Sequence, residues 1–221
     1  MCATTDGRGA GGRGAGGRDR LLWYAAYGSN LHAARFSCYL CGGRPDGAAR
    51  TCPGCRDRRP PRASAALTLP GTVYFAGHSA TWSGATAFYD PAAPGRVPCR
   101  AYLVTAGQFG DVAAQEIHRR PGTDLDLTRV LATGRDRLGP GRYETLLHVG
   151  ALRGRPVLTL TSPTGLAGAT CAAPSPAYLR TLAAGLAESH TWGPWRTAGY
   201  LATRPGAVGH WPVPAVAALL D

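Results

Sequence analysis

Leu21-Leu22-Trp23-Tyr24-Ala25-Ala26-Tyr27-Gly28-Ser29-Asn30-Leu31 is the stretch from which the rest of the chain is read. Its first seven residues are apolar or aromatic and of strand type, and the run breaks off at Gly28-Ser29-Asn30. A second apolar run, Leu31 to Leu40, follows with helical character. A strand that breaks at glycine and re-enters as a helix leaves backbone N–H groups unpaired at the helix start. Together with the helix dipole they make a place for a carboxylate or a developing oxyanion. Asn30 stands where the N-cap of that helix is expected, and Ser29 adds a hydroxyl beside it. A plain strand–turn–helix corner is the other reading of the same residues.

Composition gives Asn30 added weight. All 24 basic residues are arginine, and the chain has one isoleucine and one asparagine. Alanine, glycine, arginine and proline are abundant instead, as under strong GC pressure on codons. The single asparagine has survived in this corner, which favours a role that no other side chain fills. The same bias weakens the usual reading of a net charge of +11. Arginine is partly a compositional default here, and no periodic basic face interleaved with aromatics appears, which argues against a dedicated nucleic-acid role.

Residues 1–20 form a Gly/Arg/Ala tract with too little apolar surface to offset the entropy of ordering, and are expected to be a disordered extension. The tract has no apolar core of a secretory signal, and no later run is long enough to span a bilayer. The expectation is a cytoplasmic protein with one folded domain over residues 21–221.

Seven cysteines, an odd number, argue against a disulfide framework in such a compartment. Four of them form Cys38-x2-Cys41 and Cys52-x2-Cys55, ten residues apart, a spacing that four-thiolate zinc sites use. The first pair continues the helix that starts near Asn30, where its side chains do not take a zinc-knuckle turn. No metal is therefore expected. Arg50, Arg56, Arg58, Arg59 and Arg62, interrupted by Pro53, Pro60 and Pro61, read as an irregular solvated loop.

From Leu67 onward the pattern is β. Thr72–Ala76, Ala85–Tyr89 and Cys99–Val104 are short runs rich in β-branched and aromatic residues, each bounded by glycine or proline. Then the period changes. Thr105-Ala106-Gly107-Gln108 is a capping box, and Phe109, Val112, Ala113, Glu116 and Ile117 fall on one face of the helix it opens, which is expected to end at Pro121-Gly122. Glu116 is the odd residue on that face. A carboxylate there is costly unless paired or set in a cleft, and burial raises its pKa. The competing reading is an i,i+4 pair with Arg120 at the edge of the face.

Residues 120–142 are a polar excursion with one helical piece, Leu125 to Leu131. Tyr143 to Leu152 and Val157 to Thr161 read as strands joined at Arg153-Gly154-Arg155-Pro156. Ser175-Pro176 is an N-cap with proline at the first helical position, opening a helix to about Glu188 whose apolar stripe holds Tyr178, Leu182 and Leu186. Trp192 and Trp195 flank a Gly-Pro break, and Val213 to Leu220 adds a short helix. The order is α+β, read as a small mixed β-barrel with flanking helices.

A strand ending in Tyr27-Gly28-Ser29-Asn30-Leu31, then several strands, then a helix carrying Glu116, resembles the γ-glutamyl cyclotransferase-like family. The resemblance implies a small β-barrel of this organisation and an enzyme that converts a γ-glutamyl amine or peptide into 5-oxoproline and the freed amine. It assigns substrate binding to Tyr27, Gly28, Ser29, Asn30 and Leu31, and catalysis to Glu116. Tyr143 matches the tyrosine that opens a later strand and joins the substrate-binding set. Pro174-Ser175-Pro176-x-Tyr178 resembles the start of the family's C-terminal helix. No cofactor is implied, and the partner is a small γ-glutamyl substrate. Two other classes stay open: an amide-cleaving hydrolase on the same scaffold, and a non-enzymatic module that binds through the Cys/Arg loop.

Overall fold

The computed structural model describes residues 15–44 and 51–220. Of the tract expected to be a disordered extension, residues 1–14 lie outside the described residues, and Ala15–Arg18 form one helical turn, α1. Arg18 leans over α3 (Ala106–Glu116), where a Cβ at Gly107 would meet its side chain.

The opening run behaves as its composition predicts. Strand β1 (Leu21–Ala26) is buried along nearly its whole length, because it lies inside a sheet with both faces covered. Trp23, Ala25 and Tyr27 point into one core cluster, while Leu22, Tyr24 and Ala26 point into the other. Period-2 alternation therefore separates two interiors rather than an inside from an outside, and the sequence reads as a continuous apolar run.

The chain continues through a 3-10 turn (Ser29–Leu31) and α2 (Ala33–Cys41) to β2 (Ala63–Pro70), β3 (Thr72–Ser79), β4 (Gly84–Asp90) and β5 (Arg96–Thr105). After α3 come α4 (Thr128–Thr133), β6 (Arg135–Arg137), β7 (Thr145–Leu152) and β8 (Arg155–Thr161). Three helices close the fold: α5 (Pro176–His190), α6 (Pro194–Ala202) and α7 (Val213–Ala217). Six strands form one sheet in the order β2-β5-β1-β8-β7-β6. β1 runs antiparallel to β5, with Leu21 opposite Thr105, and parallel to β8, with Tyr24 opposite Leu158. The sheet is mixed, as expected for an α+β chain.

The expected barrel is realised without a closing strand pair among the described residues. The hairpin β3–β4 is a separate two-stranded sheet, laid against the main one. Thr161 stitches the two together, its hydroxyl donating to the Tyr89 carbonyl and accepting from the Tyr89 N–H. One core cluster gathers the hairpin's Val73, Phe75 and Tyr89 with Tyr178, Leu182 and Leu186 of α5 and with α6 and α7. The other gathers Phe36 and Leu40 of α2 with Phe109, Val112 and Ala113 of α3.

Several boundaries differ from the sequence expectation, each for a local reason. β2 starts at Ala63, ahead of Leu67, because its eight-residue ladder with β5 outweighs its half-exposed, alanine-rich sequence. α3 ends at Glu116, not at Pro121-Gly122, and the chain leaves it through His118 in the left-handed region (φ 59°). Ile117 therefore lies just beyond the helix. The helical piece of the excursion is Thr128–Thr133, followed by β6, whose three residues Arg-Asp-Arg carry no strand signal. α6 begins at the Gly193-Pro194 break, with proline at its first position.

Helix α5 packs closely on the turn after β1. A Cβ at Gly185 would lie 2.4 Å from the Cβ of Leu31, so the absence of a side chain there permits the approach. That contact anchors the Gly28–Leu31 corner to the C-terminal helices. The Cys/Arg loop turns back on α2 through a pair of hydrogen bonds between Gly43 and Cys52. Cys38 and Cys41 do lie on the helix, as the spacing argument required. Cys41 is exposed and Cys55 buried, its thiol near the Tyr39 carbonyl. Among the described residues no group of three or more His, Cys, Asp and Glu side chains is placed to hold a metal ion. No described helix is long and apolar enough to cross a membrane.

Candidate active site

The end of β1, the end of α3, the hairpin β3–β4 and the segment before β7 surround a cavity of about 480 Å³. Its lining includes Ser29, Arg35, Tyr39, Trp82, Glu116 and Tyr143. A narrow inner recess continues from it between Tyr27, Gly28, Asn30 and Tyr178, again with Glu116 and Tyr143 in the wall. Residues more than a hundred positions apart in sequence thus face one space.

Asn30 does not cap α2. It is buried (3% exposed) in the 3-10 turn, and its side-chain amide donates to Glu116 Oε1 at 2.8 Å and to the Tyr24 hydroxyl at 3.1 Å. The N-cap position of α2 is His32, which makes no side-chain cap bond. Glu188 of α5 takes the cap's place from outside, accepting the Ala33 N–H at 2.9 Å. Arg100 holds that carboxylate at 2.6 Å and His32 stands 3.2 Å from its other oxygen. The amide oxygen of Asn30 is buried without a hydrogen-bond partner among the described residues.

Glu116 lies at the last residue of α3, half-buried in the cavity wall. Its carboxylate turns to Asn30 rather than to Arg120, so the surface pair considered from sequence is not formed. Burial pushes its pKa above the ordinary carboxylate value. The Arg35 charge, the Asn30 amide and a hydrogen bond from Tyr39 pull in the opposite direction without cancelling it.

The remaining expected residues divide between wall and support. Ser29 lines both the cavity and the recess, and Gly28 lines the recess. A Cβ at Gly28 would approach the Tyr178 hydroxyl to 3.2 Å. Tyr27 also lines the recess, with its hydroxyl donating to the Leu160 carbonyl at 2.6 Å. Tyr143 donates to the Ala87 carbonyl at 2.7 Å and stacks on Phe88 at 4.7 Å. Leu31 is a core residue under α5, not part of the wall. Within the turn, the Leu31 N–H is bound to Gly28 O and the His32 N–H to Ser29 O. The N–H groups of residues 28–30 make no bond within that turn, and that of Ser29 is directed to the Tyr178 hydroxyl.

Sequence reading missed four wall residues. Arg35 and Tyr39 sit on α2 one turn apart, an i,i+4 pair that an amphipathic count assigns to the surface and the core. Trp82 and Tyr178 are far from the corner in sequence, and the pattern marks Tyr178 as part of a helix start and its apolar stripe, not as a wall residue. Its hydroxyl accepts the Ala87 N–H at 3.1 Å, so this stripe residue also has a polar task. Burial raises the pKa of Tyr24, Tyr39, Tyr143 and Tyr178, which keeps these phenols neutral. Glu144 also borders the cavity, but its oxygens are taken by Arg119 and the Gly141 N–H.

No family model matches the chain. Histone deacetylase 5 of Arabidopsis thaliana is 37% identical over 99 residues, which is 43% of this chain and 15% of that protein. The chain thus spans a small part of the curated relative it matches. Among solved structures, an uncharacterized protein from Homo sapiens aligns over 91% of this chain and 99% of its own, with a TM-score of 0.51 and 15% identity. A γ-glutamyl cyclotransferase aligns over 90% of this chain and 99% of its own, with a TM-score of 0.48 and 14% identity. At these identities the likeness is one of fold, which the chain shares with the uncharacterized human protein.

Proposed function

We propose that the chain is a γ-glutamyl cyclotransferase-like enzyme that releases 5-oxoproline and a free amine from a γ-glutamyl substrate. One observation carries the reading: the Glu116 carboxylate, raised in pKa, is held by Asn30 in the cavity into which the Gly28–Asn30 backbone opens.

The reaction needs one group that takes a proton and later gives it back. The substrate's α-ammonium loses a proton to the Glu116 carboxylate, and the neutral nitrogen attacks the γ-carbonyl carbon. The N–C bond of the ring forms while the carbonyl π electrons move to oxygen, and N–H donors of residues 28–30 stabilise that oxyanion. The ring nitrogen sheds its second proton to solvent. Protonated Glu116 then delivers its proton to the leaving nitrogen as the old C–N bond breaks and the carbonyl re-forms. A raised pKa suits a residue that must be base and then acid in one turnover.

Asn30 has a stated part in this. Its amide donates to one carboxylate oxygen, Oε1. Tyr39 adds a second donor, so the carboxylate is positioned without an ion pair that would hold it ionised throughout.

The test is to supply purified protein with a panel of γ-glutamyl amines and γ-glutamyl dipeptides and to identify the acid released. The expected product is 5-oxoproline with one equivalent of amine. Glutamate in its place would make the protein a hydrolase, and no release from any member of the panel would overturn the reading.

A further inference from the structure

Arg35 is a buried cation in the cavity wall that the chemistry above does not use. The chain carries 24 arginines, yet Arg35 is 7% exposed and is the arginine buried in the core layer between α2 and the cavity. Its Nη1 donates to the Cys52 thiol at 3.3 Å and its Nη2 to the Tyr39 hydroxyl at 3.3 Å. The Nε–H is buried without a partner among the described residues. The guanidinium lies 4.4 Å over the Tyr39 ring and 5.9 Å from that of Trp82.

Five N–H donors on this group meet a phenol and a sulfur, which is a weak acceptor. None of the ion pairs among the described residues includes Arg35. Arg56 shows what a satisfied arginine looks like in this protein, with Asp111 and Asp124 both engaged. The Glu116 charge acts on Arg35 without forming an ion pair with it, and a planar fork of donors is shaped for a carboxylate. Arg35 shares its cavity with Glu116 and Ser29.

The geometry points to Arg35 as the residue that binds the α-carboxylate of the substrate's γ-glutamyl group. This deepens the cyclotransferase reading and rests on it. With the carboxylate on Arg35, the α-nitrogen on the adjacent carbon is brought toward the Glu116 side of the cavity, where it must lose its proton. The same contact selects the substrate class. Donors with a free α-carboxylate are taken, and those with that group amidated or esterified are refused, because they leave the buried cation unpaired.

The experiment compares a γ-glutamyl anilide having a free α-carboxylate with its α-carboxamide, in the wild type, Arg35→Lys and Arg35→Met. The wild type should prefer the acid by about tenfold or more in kcat/KM. Arg35→Lys keeps the charge and loses the fork, so it should raise KM for the acid about tenfold and erase most of the preference for acid over amide. A merely structural arginine would lower both substrates equally, and that result overturns the assignment. Equal use of acid and amide by the wild type overturns it too. Should Arg35→Met fail to fold, the lysine variant and the wild-type preference still decide.

A binding arm separates this inference from the reaction itself. The monoamide of glutarate, which keeps a carboxylate opposite its amide, and the diamide, which has none, both lack the α-amine that attacks in 5-oxoproline formation; they are titrated calorimetrically into wild type, Glu116→Gln and Arg35→Lys. Preference for the monoamide in the wild type and Glu116→Gln, lost in Arg35→Lys, supports Arg35 even if no 5-oxoproline is formed. No preference, or no binding of the monoamide, contradicts it even if turnover is seen.

Discussion

Helices α2 and α3 each follow a strand of the central sheet, α2 after a 3-10 turn and α3 at once, and they secure their first turns in opposite ways. α3 is self-contained: Thr105 accepts the Gln108 N–H and the Gln108 side chain accepts the Thr105 N–H, both at 3.1 Å. α2 has a residue of capping type within reach, Asn30, but that side chain faces the other way, onto Glu116. Its backbone is capped instead by Glu188, 155 residues later. A helix start that borrows its cap from a distant helix has released its own polar side chain for another task. The contrast between the two starts marks one as a structural corner and the other as the candidate active site.

The largest effect expected from breaking this contrast is at the α2 side. Glu116→Gln keeps size and hydrogen bonding but takes up no proton, so 5-oxoproline formation should fall by roughly 10²–10⁴ while KM changes little. The variant's stability should hold or rise at neutral pH. Because folding raises the Glu116 pKa, the folded state binds the proton more tightly than the unfolded one. Stability therefore declines as pH climbs from the ordinary carboxylate value, about 4.3, through the raised one. Glutamine removes that decline, which thermal melts from pH 4 to 8 would reveal.

Next comes Asn30→Ala, which strips Glu116 and the Tyr24 hydroxyl of one shared donor. We expect a rate loss of roughly 10–10², and circular dichroism should show α2 intact, since Asn30 does not cap it. An Asn30→Ala protein that loses helix but keeps its rate would restore Asn30 to the role of a cap.

Glu188→Ala should do the reverse. It removes the acceptor for the Ala33 N–H and the partner of Arg100, costing about 1–2 kcal/mol in denaturant unfolding with the acid limb of the rate profile unmoved. The smallest effect belongs to Thr105→Ala, about 1 kcal/mol of stability with activity retained. If Thr105→Ala instead harmed activity as much as Asn30→Ala, the distinction between the two helix starts would fail.

The sequence made one of these starts fully legible and the other only half so. The Thr105–Gln108 box needs four consecutive residues, so local pattern reveals it completely. At the other start, β1, the break at Gly28 and the helix through Cys41 were all readable from apolar period. The direction of the Asn30 side chain was not, because its partner lies 86 residues away on α3. Glu116 stood out as a carboxylate on an apolar face, which is a local anomaly. Arg35 did not, because an arginine in an arginine-rich chain carries no signal until its burial is known. Leu31 was assigned to binding with the rest of its motif, whereas its contact with Gly185 shows it serving the fold. Similarly, β6 and α6 escaped because long-range pairing and packing form them with little help from local propensity.

Central to the proposed chemistry is a Glu116 carboxyl group, held by Asn30, that titrates above the ordinary range. With three glutamates in the chain, selective 13C labelling of the glutamate side-chain carboxyls gives three resonances, and Glu116→Gln identifies one of them. Titrating that signal by NMR in the wild type and in Asn30→Ala tests the claim without reference to any substrate. The prediction is a Glu116 pKa above about 4.3 in the wild type, and higher still in Asn30→Ala, where the donor that favours the ionised form is gone. A Glu116 that titrates at or below the ordinary value, or one that Asn30→Ala leaves unmoved, would contradict it.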